Sequence, residues 1–167
     1  MKVVRTIAVV GAIAVVAAAL TTGGALASAP RGLVADLQDG AGNAIGRVRF
    51  VPTDDGKISV RVAAAGLTPG FHGFHVHTTG TCDPLAEDAS GNPVPYFTAG
   101  GHYNPDAAAT HGAHAGDLVP MLVAGDGTAQ LRFKTDRFRN RDLMDADGSA
   151  VIFHAGADNL ANVPGTT

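Results

Sequence analysis

The chain has 167 residues, of which 46% are apolar and 16% charged, and its formal net charge is −3. That is enough hydrocarbon for one packed domain and too little length for two, and it argues against a disordered segment. The mildly acidic balance offers no basic surface, so nucleic acid is not an expected partner.

The N-terminus comes first. Lys2 and Arg5 precede an apolar run from Ile7 to Leu20, and Ala25-Leu26-Ala27 forms an A-x-A cleavage pattern before Ser28. Residues 1–27 are therefore expected to be a signal peptide, with a single domain over 28–167. The run is shorter than the ~20 residues a membrane span requires, so no membrane attachment is expected after cleavage. The protein is expected to be exported: secreted, periplasmic or held in the cell envelope. Cleavage removes Lys2 and Arg5 from the 12 basic residues, leaving 10 against 15 acidic ones and a net charge of −5.

The region after it reads as antiparallel strands. Leu33–Leu37 looks like a first strand, turned by Gly40–Asn43. Val48 and Phe50 alternate with Arg47 and Arg49, then Ile58, Val60 and Val62 alternate with Lys57, Ser59 and Arg61. A period of two places each apolar set on one face of a sheet. Asp55-Gly56 between these segments is a hairpin signal. Leu118–Val123 and Ala129–Phe133 are separated by Gly125-Asp126-Gly127, and Ala150–Phe153 follows Asp147-Gly148. No segment after the leader has helical periodicity. Short strands with turns at this spacing, in a chain with 22 Gly and 9 Pro, predict a sandwich or a small barrel. The stretch from Thr78 to Gly116 has no strand pattern, and long structureless loops in compact domains are usually functional.

All seven histidines fall between His72 and His154. His75 and His77 are one residue apart in Phe74-His75-Val76-His77, so on a strand both imidazoles face one point. His102 lies in Gly100-Gly101-His102-Tyr103-Asn104-Pro105, His111 and His114 lead to Asp117, and His154 closes the strand Val151-Ile152-Phe153. One such histidine would read as an ordinary hydrogen-bonded imidazole, whereas six and an aspartate in connected motifs point to metal. Imidazoles in a tetragonal arrangement suit Cu(II), and imidazoles with one carboxylate in a tetrahedron suit Zn(II). An imidazole deprotonated at both nitrogens can join two metals. Spacing alone does not assign these roles.

Gly70-Phe71-His72-Gly73-Phe74-His75-Val76-His77 resembles the first signature of copper/zinc superoxide dismutases. Gly100–Pro105, His114-Ala-Gly-Asp117 and His154-Ala-Gly-Ala-Asp158 match the next three in the family's order, and the resemblance runs from about Leu33 to Asn162. It implies an all-β, Greek-key antiparallel β-barrel or sandwich. It implies that His75, His77, His102 and His154 hold copper. His102, the catalytic residue, is also the bridge to zinc, which His111, His114 and Asp117 complete. His72 is implied to be structural, and Asp158 to orient ligands of both metals, here His75 and His111. The implied reaction is dismutation of superoxide to oxygen and hydrogen peroxide, and a homodimer is compatible with the family. An exported, non-catalytic copper-binding or buffering protein of the same fold is the alternative.

Two departures from the family pattern matter. His111 and His114 are three residues apart, whereas the family has a longer loop between its two non-bridging zinc histidines. After His154 the sequence reaches Thr167 without the family's Arg-x-x-Cys segment and last strand. The final strand, an anion-binding arginine and the partner of Cys82 are therefore expected to be missing, leaving two barrel strands with bare edges and a weakened enzyme. Cys82 is the single cysteine: a free thiol, an intermolecular bond, or half of a pair whose partner is absent. Arg137, Arg139 and Arg141 are expected to lie on a solvated loop.

Overall fold

A computed structural model describes residues 32–159 and a two-residue strand, Ile7–Ala8. The rest of the signal-peptide expectation, and residues 160–167, lie outside the described residues. Nine strands run in chain order: β1 (Ile7–Ala8), β2 (Leu33–Gln38), β3 (Ala44–Pro52), β4 (Ile58–Ala64), β5 (Gly70–His72), β6 (Phe74–His77), β7 (Met121–Val123), β8 (Ala129–Thr135) and β9 (Ala150–Phe153). Two 3-10 turns, Phe97–Ala99 and Asn140–Leu143, are the helical segments among the described residues.

The strands form three antiparallel sheets, in the orders β1-β9-β6, β2-β3-β4-β8 and β5-β7. The all-β antiparallel expectation holds, with non-consecutive pairings of β4 with β8 and β6 with β9. The described strands do not close into one continuous barrel. Gly73 separates β5 from β6, and the two go to different partners. Bare edges are expected on two barrel strands; β9 is paired on both sides, with Ile7 opposite Val151 and Ala8 opposite Ala150 on one and β6 on the other.

Alternation sets the core. In the four-stranded sheet Ala35, Leu37, Val48, Phe50, Val60 and Val62 point inward while the residues between them face solvent. Asp54–Gly56 turns the hairpin between β3 and β4, with Gly56 at φ 75°, a conformation that costs glycine no steric clash. The strand expected over Leu118–Val123 starts only at Met121. Pro120 has no N–H to give a ladder, and the N–H of Leu118 goes to the carbonyl of Phe74 on β6 at 3.2 Å.

That contact shows how the loops are fixed. β6 pairs with β9 in the register Phe74↔Phe153 to His77↔Ala150. Its other edge receives loop backbone: Val76 donates to the Gly116 carbonyl at 2.9 Å and accepts from Tyr103 at 2.7 Å. All four residues of β6 are buried. Phe74 stacks on Phe153 with ring centres 4.5 Å apart and joins Val76 in the core. A Cβ at Gly116 would lie 2.3 Å from the Val76 carbonyl oxygen and 2.8 Å from the Tyr103 nitrogen. Gly116→Ala should therefore force the loop off β6 and cost about 1–3 kcal/mol. Urea unfolding of the metal-free protein measures this, and an unchanged midpoint would contradict the packing described.

Candidate metal centre

β6 supplies the first two imidazoles. Phe74 and Val76 face the core, so His75 and His77 face the opposite side. His154 follows β9 directly and is held from two directions. Its N–H donates to the Gly73 carbonyl at 2.9 Å. Its own carbonyl oxygen lies 2.7 Å from His72 Nδ1, while His72 Nε2 lies 2.7 Å from the Thr68 carbonyl. His72 thus ties the loop before β5 to the end of β9, and it belongs to none of the metal-binding groups among the described residues. His102 comes alongside β6 through an isolated bridge to His77, with Thr78 donating to the Gly101 carbonyl at 3.0 Å.

Two groups result. His75, His77, His102 and His154 offer ligand atoms all within 4.8 Å of one another, and so do His102, His111, His114 and Asp117. His102 belongs to both. Its Nδ1 donates to Asp117 Oδ1 at 2.7 Å, which leaves Nε2 for the first group. Within the first group, His75 Nδ1, His77 Nε2 and His154 Nε2 are buried without a hydrogen-bond partner. Their other nitrogens explain why for two of them: His75 Nε2 donates to Asp158 at 2.6 Å and His77 Nδ1 to the Gly100 carbonyl at 2.8 Å. Buried polar atoms without partners are costly, and three lone pairs converging with a fourth imidazole fit a metal ion.

The second group is organised by carboxylates. Asp158 accepts from His75 Nε2 through one oxygen and from His111 Nε2, at 2.7 Å, through the other. This turns His111 Nδ1 toward Asp117 Oδ1, 3.7 Å away. His114 Nδ1 is buried without a hydrogen bond, 3.3 Å from Asp117 Oδ2. Asp117 Oδ2 also accepts from the backbone N–H groups of Gly112 at 2.6 Å and His114 at 2.9 Å. Three imidazoles and one carboxylate are a donor set suited to zinc. The three-residue spacing of His111 and His114, a departure from the family pattern, is still compatible with convergence.

Burial dominates the electrostatics. It pushes His77 and His102 down to about 4 and His154 down to about 3, with neighbouring imidazoles adding to each effect, and it lowers His75 as well. Neutral imidazoles are what a metal requires. Burial alone would raise Asp117, but the hydrogen bond and charge of His102 hold it below the ordinary carboxylate value. Cys82 is half-buried beside Tyr96, Ala99, Ala150 and Ile152, and burial pushes its thiol up to about 12, so it is a poor nucleophile.

A cavity of about 700 Å³ opens over His77 and His154. Val94, Tyr96, Phe97 and Ile152 contribute to its wall, and among the described residues no Arg, Lys, Asp or Glu does. The three arginines expected on a solvated loop are all exposed, Arg141 with its side chain 86% exposed. Arg137 nonetheless reaches back to the turn that carries His114 and Asp117. Its Nη1 donates to the carbonyls of His114 at 2.8 Å and Asp117 at 3.3 Å. No sequence spacing signals this contact, and none signals the Gly100 carbonyl behind His77.

Comparison with known proteins agrees with this geometry. The family model for copper/zinc superoxide dismutase matches residues 44–167. A Cu-Zn superoxide dismutase of Mycobacterium tuberculosis is 44% identical over 115 residues, covering 66% of this chain and 47% of that protein. The chain thus spans about half the length of that relative. One from Deinococcus radiodurans is 34% identical over 139 residues, covering 78% of this chain and 75% of its own. Among solved structures, the Cu/Zn superoxide dismutase of Brucella abortus superposes with a TM-score of 0.65 at 25% identity, covering 99% of this chain and 90% of that one. A SOD-like protein from Bacillus subtilis gives 0.64 at 29% identity, covering 78% and 88%.

The lowered histidines set a pH dependence for the metal-free protein. A histidine at about 6.5 unfolded and about 3 to 4 folded binds its proton more readily in the unfolded chain. Stability is therefore full above about pH 6.5 and is lost as pH falls toward 4. Melting temperatures of chelator-treated protein at pH 8, 6 and 4 check this. His154→Gln should flatten the decline, and a melting temperature constant across that window would contradict the burial of neutral imidazoles.

Proposed function

Since the chain belongs to the copper/zinc superoxide dismutase family, we propose that it is an exported dismutase converting superoxide to oxygen and hydrogen peroxide. The observation that carries the reading is His102, the imidazole common to both four-residue donor groups, which differ in chemistry. His75, His77, His102 and His154 would hold copper, which would supply one-electron exchange with superoxide, and His102, His111, His114 and Asp117 would hold zinc, which would supply fixed positive charge.

The chain's own groups do the rest. His102 holds or gives up a proton at Nε2, while the Asp117 side fixes its Nδ1 and keeps the ring in place. Asp158 and the Gly100 carbonyl hold His75 and His77 in the tautomers that turn their remaining lone pairs inward. His72 holds His154 through its backbone. The cavity over His77 and His154 provides entry for a small substrate. The homodimer reading has one supporting surface: Phe71 and Leu122, opposite each other on β5 and β7, are both exposed.

One observation favours the second reading, an exported copper-binding protein without catalysis. The described lining of the cavity contains no guanidinium or ammonium group to draw an anion toward His77 and His154. Superoxide decay followed after pulse radiolysis separates the two. Protein loaded with copper and zinc should remove superoxide faster than an equal concentration of zinc-only protein, and His154→Gln should lower both copper affinity and rate at least tenfold. Copper bound to the four histidines with no rate above the zinc-only control would establish the binder.

A further inference from the structure

We infer that Arg137 is a positioning residue for the zinc-type group, closing the His111–Asp117 turn onto the end of β8. The inference rests on the assignment of zinc to His102, His111, His114 and Asp117. Those ligands come from two short pieces of backbone, and His111, His114 and Asp117 share a single turn. The inner side of the turn is held by the Asp117 carboxylate, which accepts from the backbone N–H groups of Gly112 and His114. Within the turn, Ala113 donates to the Thr110 carbonyl at 2.8 Å and Asp117 to the His114 carbonyl at 3.1 Å.

None of these contacts ties the turn to the end of β8. Arg137 does. It lies two residues past the end of β8, and its backbone N–H donates to the Thr135 hydroxyl at 3.2 Å. From there Nη1 reaches the carbonyls of His114 and Asp117 together. These are the backbone oxygens of two residues whose side chains supply zinc ligands. A planar guanidinium can serve two acceptors in a fixed geometry, which a lysine ammonium on a flexible stem does less well. Phe138, the next residue, is buried against Phe50 at 6.0 Å, so the arginine's backbone is anchored in the core. The nearby Lys134 is committed elsewhere, to Asp55 at 2.9 Å. Removing the guanidinium takes away the contact between this turn and the end of β8, while the four-histidine group, held by β6, β9 and Asp158, keeps its supports.

The test uses the full chain, with cobalt as a spectroscopic probe of the zinc-type group and a chromophoric chelator competing for zinc. Arg137→Ala should weaken zinc binding about 10- to 100-fold, the range seen when a residue supporting metal ligands is lost. It should also shift or broaden the cobalt d–d bands, with copper affinity at the four histidines unchanged within about twofold. Arg137→Lys should recover only part of the zinc affinity, and both variants should keep the parent's circular dichroism. Zinc affinity within twofold of the parent in Arg137→Ala would overturn the role. So would a parallel loss of zinc, copper and melting temperature, which would mark Arg137 as a general stability contact. A parent chain that takes up no cobalt or zinc would overturn the zinc assignment itself and Arg137's role with it.

Discussion

β6 is buried on both faces, and the candidate site depends on that constraint. One face is hydrocarbon, with Phe74 stacked on Phe153 and Val76 in the core. The other carries His75 and His77. An imidazole removed from water must place its nitrogens, and each of these two has a partner for one nitrogen only. The remaining lone pairs are turned to a common point by the strand's period of two. Both edges of the strand are used as well, by β9 on one side and by the 103 and 116 backbone on the other. The strand therefore fixes two proposed copper ligands and also places His154 and the loop that carries His102.

Around this strand the contacts form a graded set of supports. Backbone hydrogen bonds hold His154 and His102 in register with β6, so those rings are positioned by the sheet itself. Asp158 joins the two donor groups through His75 and His111, and Asp117 joins them through His102. A displacement of either carboxylate would be felt in both groups, whereas the contacts of Arg137 touch one. The lack of Arg, Lys, Asp and Glu among the described residues of the cavity wall bears on a different property, the capture of an anion, which is separable from metal binding.

Much of this was legible in the sequence, for identifiable reasons. Alternation marked β3, β4 and β8, and the boundaries of β9, buried at all four positions, coincide with the apolar run Ala150–Phe153. The i, i+2 spacing of His75 and His77 predicted their convergence directly. β7 came out shorter than its apolar run because Pro120 and a backbone bond to Phe74 draw Leu118 away from the ladder. The clamp by Asp158 spans 83 residues to His75, and periodicity holds no trace of it; only the motif resemblance pointed there. The contacts of Arg137 and the Gly100 carbonyl were invisible for the same reason, since backbone acceptors carry no residue-type signal. The covered edge of β9 depends on Ile7–Ala8, in an apolar run whose composition says nothing about pairing.

The central claim is that His102 stands between two metals of different kind. Anomalous diffraction from crystals of the copper- and zinc-loaded protein, collected at both absorption edges, tests it most directly. The account predicts two peaks flanking the His102 ring. The copper peak would lie among His75, His77 and His154, and the zinc peak among His111, His114 and Asp117. A single peak, or copper located away from the four histidines, would contradict it.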